Sequence, residues 1–375
     1  MKNTDNPGGG ISRRRFLGTT AAAAAITMVP TSYAFKNKPA AEAEPMASDK
    51  PNSVFGGVTI GAITYSWRSM PGGVENVIKY CKEAGVSAIE LMSNDLEDYL
   101  GAPKNPRAAM IGGPRPAGPA PAGAPQGAPQ QGGQRPAGAP GGAPAGGSQR
   151  PQLTPEQEAA IAKYNQEIKD WRINLPMAKV EAARKLFNDA GIDVHIVKFS
   201  PSRWSDEEID YAFKAAKAMG AKGVCEEISE EAVRKLAPFA EKHGMYAIFH
   251  QHMQFATKGF SYDPFLAVSP AVMMNFDAGH FFGSTGIHPN TIIEKYHDRI
   301  FSVHIKDKTG PNTDPANTNQ VWGQGEMPLA DVLLLIKKNK WPIPCDIELE
   351  YEIKPWSNAV KEVRTCVQYA RNILM

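Results

Sequence analysis

Four short apolar segments in the C-terminal half share one pattern: a run of apolar, partly β-branched residues, then His, Asp or Glu. They are YAIFHQH ending at His252, VMMNFDAGH ending at His280, FSVHIKD ending at Asp307 and CDIELE ending at Glu350. Further strand-like runs lie upstream: VTIGAITY (58–65), Ser87–Leu91, VHIVKF (194–199) and KGVCEE (222–227). Helical patterns separate them. One spans Val74–Ala84 and stops at Gly85, a glycine placed to cap the helix C-terminus. A second opens on the capping box Thr154-Pro155-Glu156-Gln157, with proline at the first helical position, and runs to about Asp170. Others cover Met177–Ala190, Ser205–Met219 before Gly220, Glu230–His243 before Gly244, and Trp356 to the last residue.

From VHIVKF onward a strand recurs roughly every 25–30 residues, with a longer gap before CDIELE. Buried strands joined by helical crossovers make a parallel sheet. Eight such units predict a closed (β/α)8 TIM barrel rather than an open doubly wound sheet, and no GxGxxG follows the first strand. A barrel of about 250 residues fits within the chain of 375. One stretch breaks the rhythm. Residues 102–153 are mostly Pro, Gly, Ala and Gln with no acidic residue, a composition unable to bury a core. It is expected to be a disordered Pro/Gly/Ala-rich insertion after the second strand, on the active-site face. A passive insertion is preferred over a lid.

Ser12-Arg13-Arg14-Arg15-Phe16-Leu17 precedes an alanine-rich apolar stretch up to Pro30, and Ser32-Tyr33-Ala34 offers a small-x-small cleavage site. This resembles a twin-arginine export signal. The organisation expected is a signal peptide over 1–34, a polar linker over 35–52 and the barrel over 53–375, with a periplasmic address. The export machinery is then a partner. No second apolar run reaches 18 residues, so no stable membrane anchor is expected. The formal charge of +2 makes no case for nucleic acid or anionic membrane. Four cysteines without CxxC spacing exclude a zinc ribbon or a disulfide scaffold, and Cys225 and Cys345 should be buried thiols. A homo-oligomer is compatible with all of this.

Side chains alternate along a strand, so His250 shares a side with His252, His304 with Lys306, and Glu348 with Glu350. Asp277 closes the sixth strand and His280 follows one turn later. A lone His at a strand end is ordinarily a hydrogen-bonded loop residue. Four successive strands with such endings are another matter, because buried charges are costly unless paired or coordinating. Imidazoles and carboxylates converging from neighbouring strands suit one divalent metal: Mn, Co, Mg or Zn. Trp67, Arg68 and Trp322 could line a sugar pocket, with Glu90 and Glu350 as further substrate contacts. Lys306 could contact a substrate oxygen or pair with Asp307. His195, His243, His288 and His297 are expected at the surface or at helix ends.

Phe276-Asp277-Ala278-Gly279-His280, the run Tyr296–Asp307, the loop Gly323-Gln324-Gly325 and Ile347-Glu348 together resemble the xylose-isomerase-like TIM-barrel superfamily, which contains sugar phosphate isomerases and epimerases. In its ketose 3-epimerases one metal is held by Glu, Asp, His and Glu on strands five to eight, and the two glutamates exchange protons with the substrate carbon. By position the resemblance implies His250 (in place of Glu), Asp277, His304 and Glu348 as metal ligands. A metal-bound His is a poor base, so Glu226, Glu227, Glu350, His252 and His280 join Glu348 as candidates for proton transfer. The function expected is an exported, metal-dependent isomerase or epimerase acting on a keto-sugar through an enediolate. A lyase or hydratase on 3-keto-sugars uses the same site, and a noncatalytic carbohydrate-binding barrel is the reading from another class.

Overall fold

The computed structural model describes residues 50–107 and 153–375. The twin-arginine segment, most of the expected linker and residues 108–152 of the expected insertion lie outside them. Eight parallel strands close on themselves: β1 (Val58–Ile63), β2 (Ala88–Met92), β3 (Asp193–Lys198), β4 (Gly223–Glu227), β5 (Tyr246–His250), β6 (Val272–Asp277), β7 (Ile300–Ile305) and β8 (Cys345–Ile347). Each pairs with its sequence neighbour, and β8 closes the ring by pairing with β1, Cys345 opposite Ile60. The expected TIM barrel is therefore present. A short antiparallel lead-in, Val54–Phe55, lies on β1.

The helices are α1 (Val74–Ala84), α2 (Ser93–Tyr99), α3 (Pro155–Asn174), α4 (Met177–Asp189), α5 (Asp206–Ala218), α6 (Glu230–His243), α7 (Asp263–Leu266), α8 (Ala278–Thr285), α9 (Asn290–Tyr296), α10 (Leu329–Asn339) and α11 (Ala359–Leu374). Six of them, α1, α3 to α6 and α11, lie where the periodicity puts them, with boundaries set by their caps. Both halves of the Thr154/Gln157 capping box form, at 3.3 and 3.0 Å, and Gly85 ends α1 at φ +81°. Three expectations are corrected. The last helix starts at Ala359 rather than Trp356, because Asn358 caps it by accepting from the Lys361 amide at 3.0 Å. Helix α3 continues past Asp170 to Asn174. Helix α2, which no pattern foretold, follows β2 directly. Arg172 of α3 then bridges the flanks of residues 108–152, holding Glu97 of α2 at 2.9 and 3.1 Å and Glu208 of α5 at 3.1 Å.

The main apolar core fills the space between barrel and helices, and a small cluster of Ile196, Cys225 and Ile248 lies apart from it. All four cysteines are buried free thiols. Two bulges break the ladder. Ile89 faces Val194 and Glu90 faces Ile196, so His195 is one residue too many on β3; Phe301 is the extra residue on β7. A bulge re-aims the residue it adds. It brings the ring of His195 to 2.9 Å from Asp346 of β8, which corrects the expectation of a surface histidine. Gly61 of β1 permits this arrangement: a Cβ there would lie 2.1 Å from Asp346 Oδ1. Among the described residues no helix is long and apolar enough to cross a membrane.

Candidate metal centre

The C-terminal ends of β5 to β8, four adjacent strands, bring His250, Asp277, His304 and Glu348 together. One donor atom from each lies within 4.8 Å of the others, and all four side chains are buried. Two imidazoles and two carboxylates at that spacing fit a divalent cation. His250 Nδ1 adds to the fit, being a buried ring nitrogen with no hydrogen-bond partner. Burial, reinforced by Lys198 and the neighbouring histidines His304 and His252, pushes the His250 pKa well below the ordinary range. The ring is neutral and its lone pair is available.

His304 is held from both sides. Nδ1 donates toward Glu348 Oε2 at 2.9 Å and Nε2 toward Glu90 Oε2 at 2.8 Å. Burial alone would lower the His304 pKa, but the two carboxylates raise it well above the usual imidazole range. Burial would likewise raise the Glu348 pKa, yet Lys306 and His304 hold its carboxyl well below the usual range. Lys306 is nearly inaccessible, and its ammonium lies 2.8 Å from Asp277, 2.6 Å from Glu348 and 2.7 Å from Glu350. It does not pair with Asp307. That carboxylate accepts the amides of Gly323, Gly325, Lys308 and Met327, and so anchors the Gly323-Gln324-Gly325 loop.

Above His250 sits a second arrangement. His252 Nε2 lies 2.9 Å from Glu227 Oε2, and Glu227 Oε1 takes a hydrogen bond from Lys198 at 2.7 Å. Despite desolvation, Lys198 and His252 hold the Glu227 carboxyl down at about 2. Burial would lower the His252 pKa, but Glu227 outweighs it and leaves it raised. The His252 ring meets those of His250 and His280 at 4.8 and 4.9 Å between centroids. His280, on the first turn of α8, lies 3.3 Å from Glu350 and makes no side-chain hydrogen bond.

Other sequence candidates fall elsewhere. Glu90 has 0% exposure and lies behind His304, so it faces the centre and offers nothing to a substrate. Glu226 accepts the amides of Ser202 and Glu227 and props up the loop after β3. Trp67 packs against Tyr80 and Trp322 against Tyr369, both indoles buried in the main core rather than on an open wall. Large rings gain more from burial than from exposure. Arg68 spends its guanidinium on the carbonyls of Leu349 and Tyr65 and over the Tyr65 ring. Conversely, Lys198 and Lys308 belong to the site though sequence reasoning passed over both, and Lys198 carries no mark in the sequence pattern. Burial, with Lys306 nearby, lowers the Lys308 pKa to about 8. Lys308 extends the alternation of His304 and Lys306, and that spacing is the signal that could have found it.

A closed parallel barrel with a His/Asp/Glu set at the C-terminal mouth of four adjacent strands defines the class: a TIM barrel with a candidate divalent-metal centre. The chain belongs to the xylose isomerase-like TIM barrel family, whose pattern it matches over residues 165–370. Among solved structures it is similar to a xylose isomerase domain protein from Alicyclobacillus acidocaldarius subsp. acidocaldarius, at 12% identity over 84% of this chain and 99% of that one, with a TM-score of 0.52. It is also similar to a sugar phosphate isomerase/epimerase from Parabacteroides distasonis, at 16% identity over 88% and 99% of the two chains, with a TM-score of 0.47. A D-allulose 3-epimerase from Methylomonas sp. aligns at 12% identity over 84% and 98%, also with a TM-score of 0.47. No curated protein sequence matches the chain.

Proposed function

We propose that the chain is a divalent-metal-dependent sugar isomerase or epimerase that moves a proton on the carbon next to a carbonyl. The observation that carries this reading is the convergence of His250, Asp277, His304 and Glu348, buried, within 4.8 Å of one another. These four would hold the cation, which supplies Lewis acidity toward a substrate carbonyl or hydroxyl pair and so favours the enediolate. The chain's own groups do the rest. Lys306, poised among three carboxylates, donates a hydrogen bond to a substrate oxygen as negative charge develops on it. His252, oriented by Glu227, which is itself held by Lys198, can take or return a proton. Glu348 and Glu350, both against Lys306, are the other candidates. Inversion at carbon requires two such groups, one for each face of the substrate.

The same constellation supports a second reading. His280 has both ring nitrogens free of hydrogen bonds and lies beside Glu350, so it could assist departure of a β-substituent in a lyase or hydratase acting on 3-keto-sugars. A noncatalytic carbohydrate-binding barrel is less favoured, because binding alone does not call for so many buried ionisable groups. Incubation with ketoses and 3-keto-glucosides in D₂O separates the three. Deuterium at one sugar carbon with retained skeleton supports isomerase or epimerase, loss of a substituent supports lyase, and binding without exchange supports the noncatalytic barrel. Metal analysis should find about one divalent ion per chain, lost in His304→Ala; an active, metal-free wild type would sink the proposal.

The proposal extends to export by the twin-arginine route, supported by Ser12–Leu17 and the alanine-rich stretch that follows. A free keto-sugar or glycoside suits a periplasmic enzyme better than a phosphorylated one. Cell fractionation of the Arg13→Lys/Arg14→Lys variant tests it: retention in the cytoplasm supports the route, and unchanged export refutes it.

A further inference from the structure

We infer that Glu90 is a positioning residue: it fixes the tautomer and ring orientation of His304, so that Nε2 carries the proton and Nδ1 faces the cation. This rests on the reading of the site as a divalent-metal centre.

Glu90 sits on β2 and His304 on β7, strands that are not neighbours in the barrel. The carboxylate therefore crosses the barrel interior to reach the ring. Its Oε2 lies 2.8 Å from His304 Nε2 and accepts from Asn275 Nδ2 at 2.7 Å; that Nδ2 is also 3.0 Å from Nε2, so two donors converge on one carboxylate oxygen. The opposite ring nitrogen, Nδ1, lies 2.9 Å from Glu348 Oε2, another member of the donor set. One polar chain, Asn275–Glu90–His304–Glu348, thus draws on β6, β2, β7 and the residue just past β8. An ionised carboxylate only accepts, so the nitrogen facing Glu90 bears the hydrogen. Nδ1, opposite Glu348, bears one by the same rule, and a cation held there would displace it, leaving the lone pair on Nδ1, on the side of Asp277 and Glu348. Carboxylates behind metal-bound imidazoles fix the ring in this way and raise its basicity.

Two alternatives fit less well. Glu90 cannot be a substrate contact, because the side chain has no exposed surface and the His304 ring stands between it and the site. A purely structural ion pair would not explain why Asn275, from a third strand, is bonded to the same oxygen that faces the ring.

The test uses zinc as the probe, with wild type, His304→Ala, Glu90→Gln and Glu90→Asp compared by chelator competition. Long-range ¹⁵N–¹H correlation of the zinc-loaded wild type reads the tautomer directly. Expected is a His304 ring protonated at Nε2 and zinc-bound through Nδ1. Expected too is zinc affinity weakened about 10–100-fold in Glu90→Gln and less in Glu90→Asp, which keeps the charge. A ring bound through Nε2, or Glu90 variants with wild-type affinity while His304→Ala loses zinc, would overturn the inference and leave the metal-centre reading intact. A wild type that binds no zinc, or binds it equally well as His304→Ala, would overturn both. Should the Glu90 variants fail to fold, the wild-type spectrum alone decides.

Discussion

Lys306 Nζ lies 2.6 Å from Glu348 Oε2 and 2.8 Å from Asp277 Oδ2, so one ammonium is set against two of the four candidate metal donors. A buried cation placed there offsets part of the charge of the carboxylates and competes with a divalent ion for the same oxygens. Lys306→Gln should therefore leave divalent affinity unchanged or tighter, while turnover falls by about 10²–10³-fold through loss of a preorganised donor. Titration with Mn²⁺ alongside steady-state rates checks both arms. A variant that lost metal and kept its turnover would reverse the assignment.

His195 and Asp346 carry a pH signature independent of turnover. Burial pulls the His195 pKa down, but the Asp346 carboxylate 2.9 Å away outweighs it and leaves the pKa raised. A histidine whose folded-state pKa exceeds its unfolded one contributes its full stabilisation below about pH 6.5 and loses it as pH rises through the folded value. Urea unfolding should show wild type losing more stability than His195→Gln as pH rises from about 5.5 to about 8.5. The variant should also be about 3–5 kcal/mol less stable at the lower pH, because a fully buried carboxylate has lost its cation. Parallel pH slopes for the two proteins would contradict the link.

Asp307 and Gly325 should be energetically coupled. A Cβ at position 325 would lie 2.2 Å from Asp307 Oδ1, and the Gly325 amide donates to Oδ2 at 2.9 Å. Gly325→Ala should cost about 1–3 kcal/mol from overpacking. Asp307→Ala should cost about 2–3 kcal/mol as its backbone donors lose a charged acceptor. Adding Gly325→Ala to Asp307→Ala should then cost less than Gly325→Ala alone, since the Asp307 clash is gone and only the 2.8 Å approach to the Lys308 carbonyl remains, and strict additivity in urea unfolding would show the two are not in contact.

The strand ends were legible because two-residue alternation and convergence at one barrel mouth are local consequences of a parallel fold. The pattern marked these strand ends as a site, and the resemblance to the xylose-isomerase-like superfamily singled out His250, Asp277, His304 and Glu348 within it. His195 was misread because a bulge, which leaves no mark in the hydrophobic pattern, turns it toward Asp346. Glu90 was taken for a substrate contact because its partner lies 214 residues away, a pairing that only barrel closure creates. Trp67 and Trp322 mislead for the opposite reason: an aromatic side chain next to a strand end reads alike whether it faces a pocket or the helices. Lys198 went unmarked because its meaning depends on Glu227 of the next strand.

His250→Glu would restore the glutamate that the ketose 3-epimerase resemblance expects at this strand end. The native ring is neutral, so the substitution exchanges a borderline nitrogen donor for a hard, charged oxygen. Lys198, His304 and His252, whose charges act on this position, can accommodate the added carboxylate. Carboxylate oxygen favours Mn²⁺ and Mg²⁺, whereas imidazole suits Zn²⁺ and its neighbours. The variant's preference should shift from Zn²⁺ toward Mn²⁺ by about tenfold or more, the scale on which ligand changes act. Competition dialysis against equal concentrations of the two ions, with elemental analysis of the bound metal, measures this. The shift should be accompanied by faster solvent-deuterium exchange at the substrate carbon, because a second carboxylate base is now in place. An unchanged metal ratio would mean that His250 does not bind the ion, and the donor set would shrink to Asp277, His304 and Glu348.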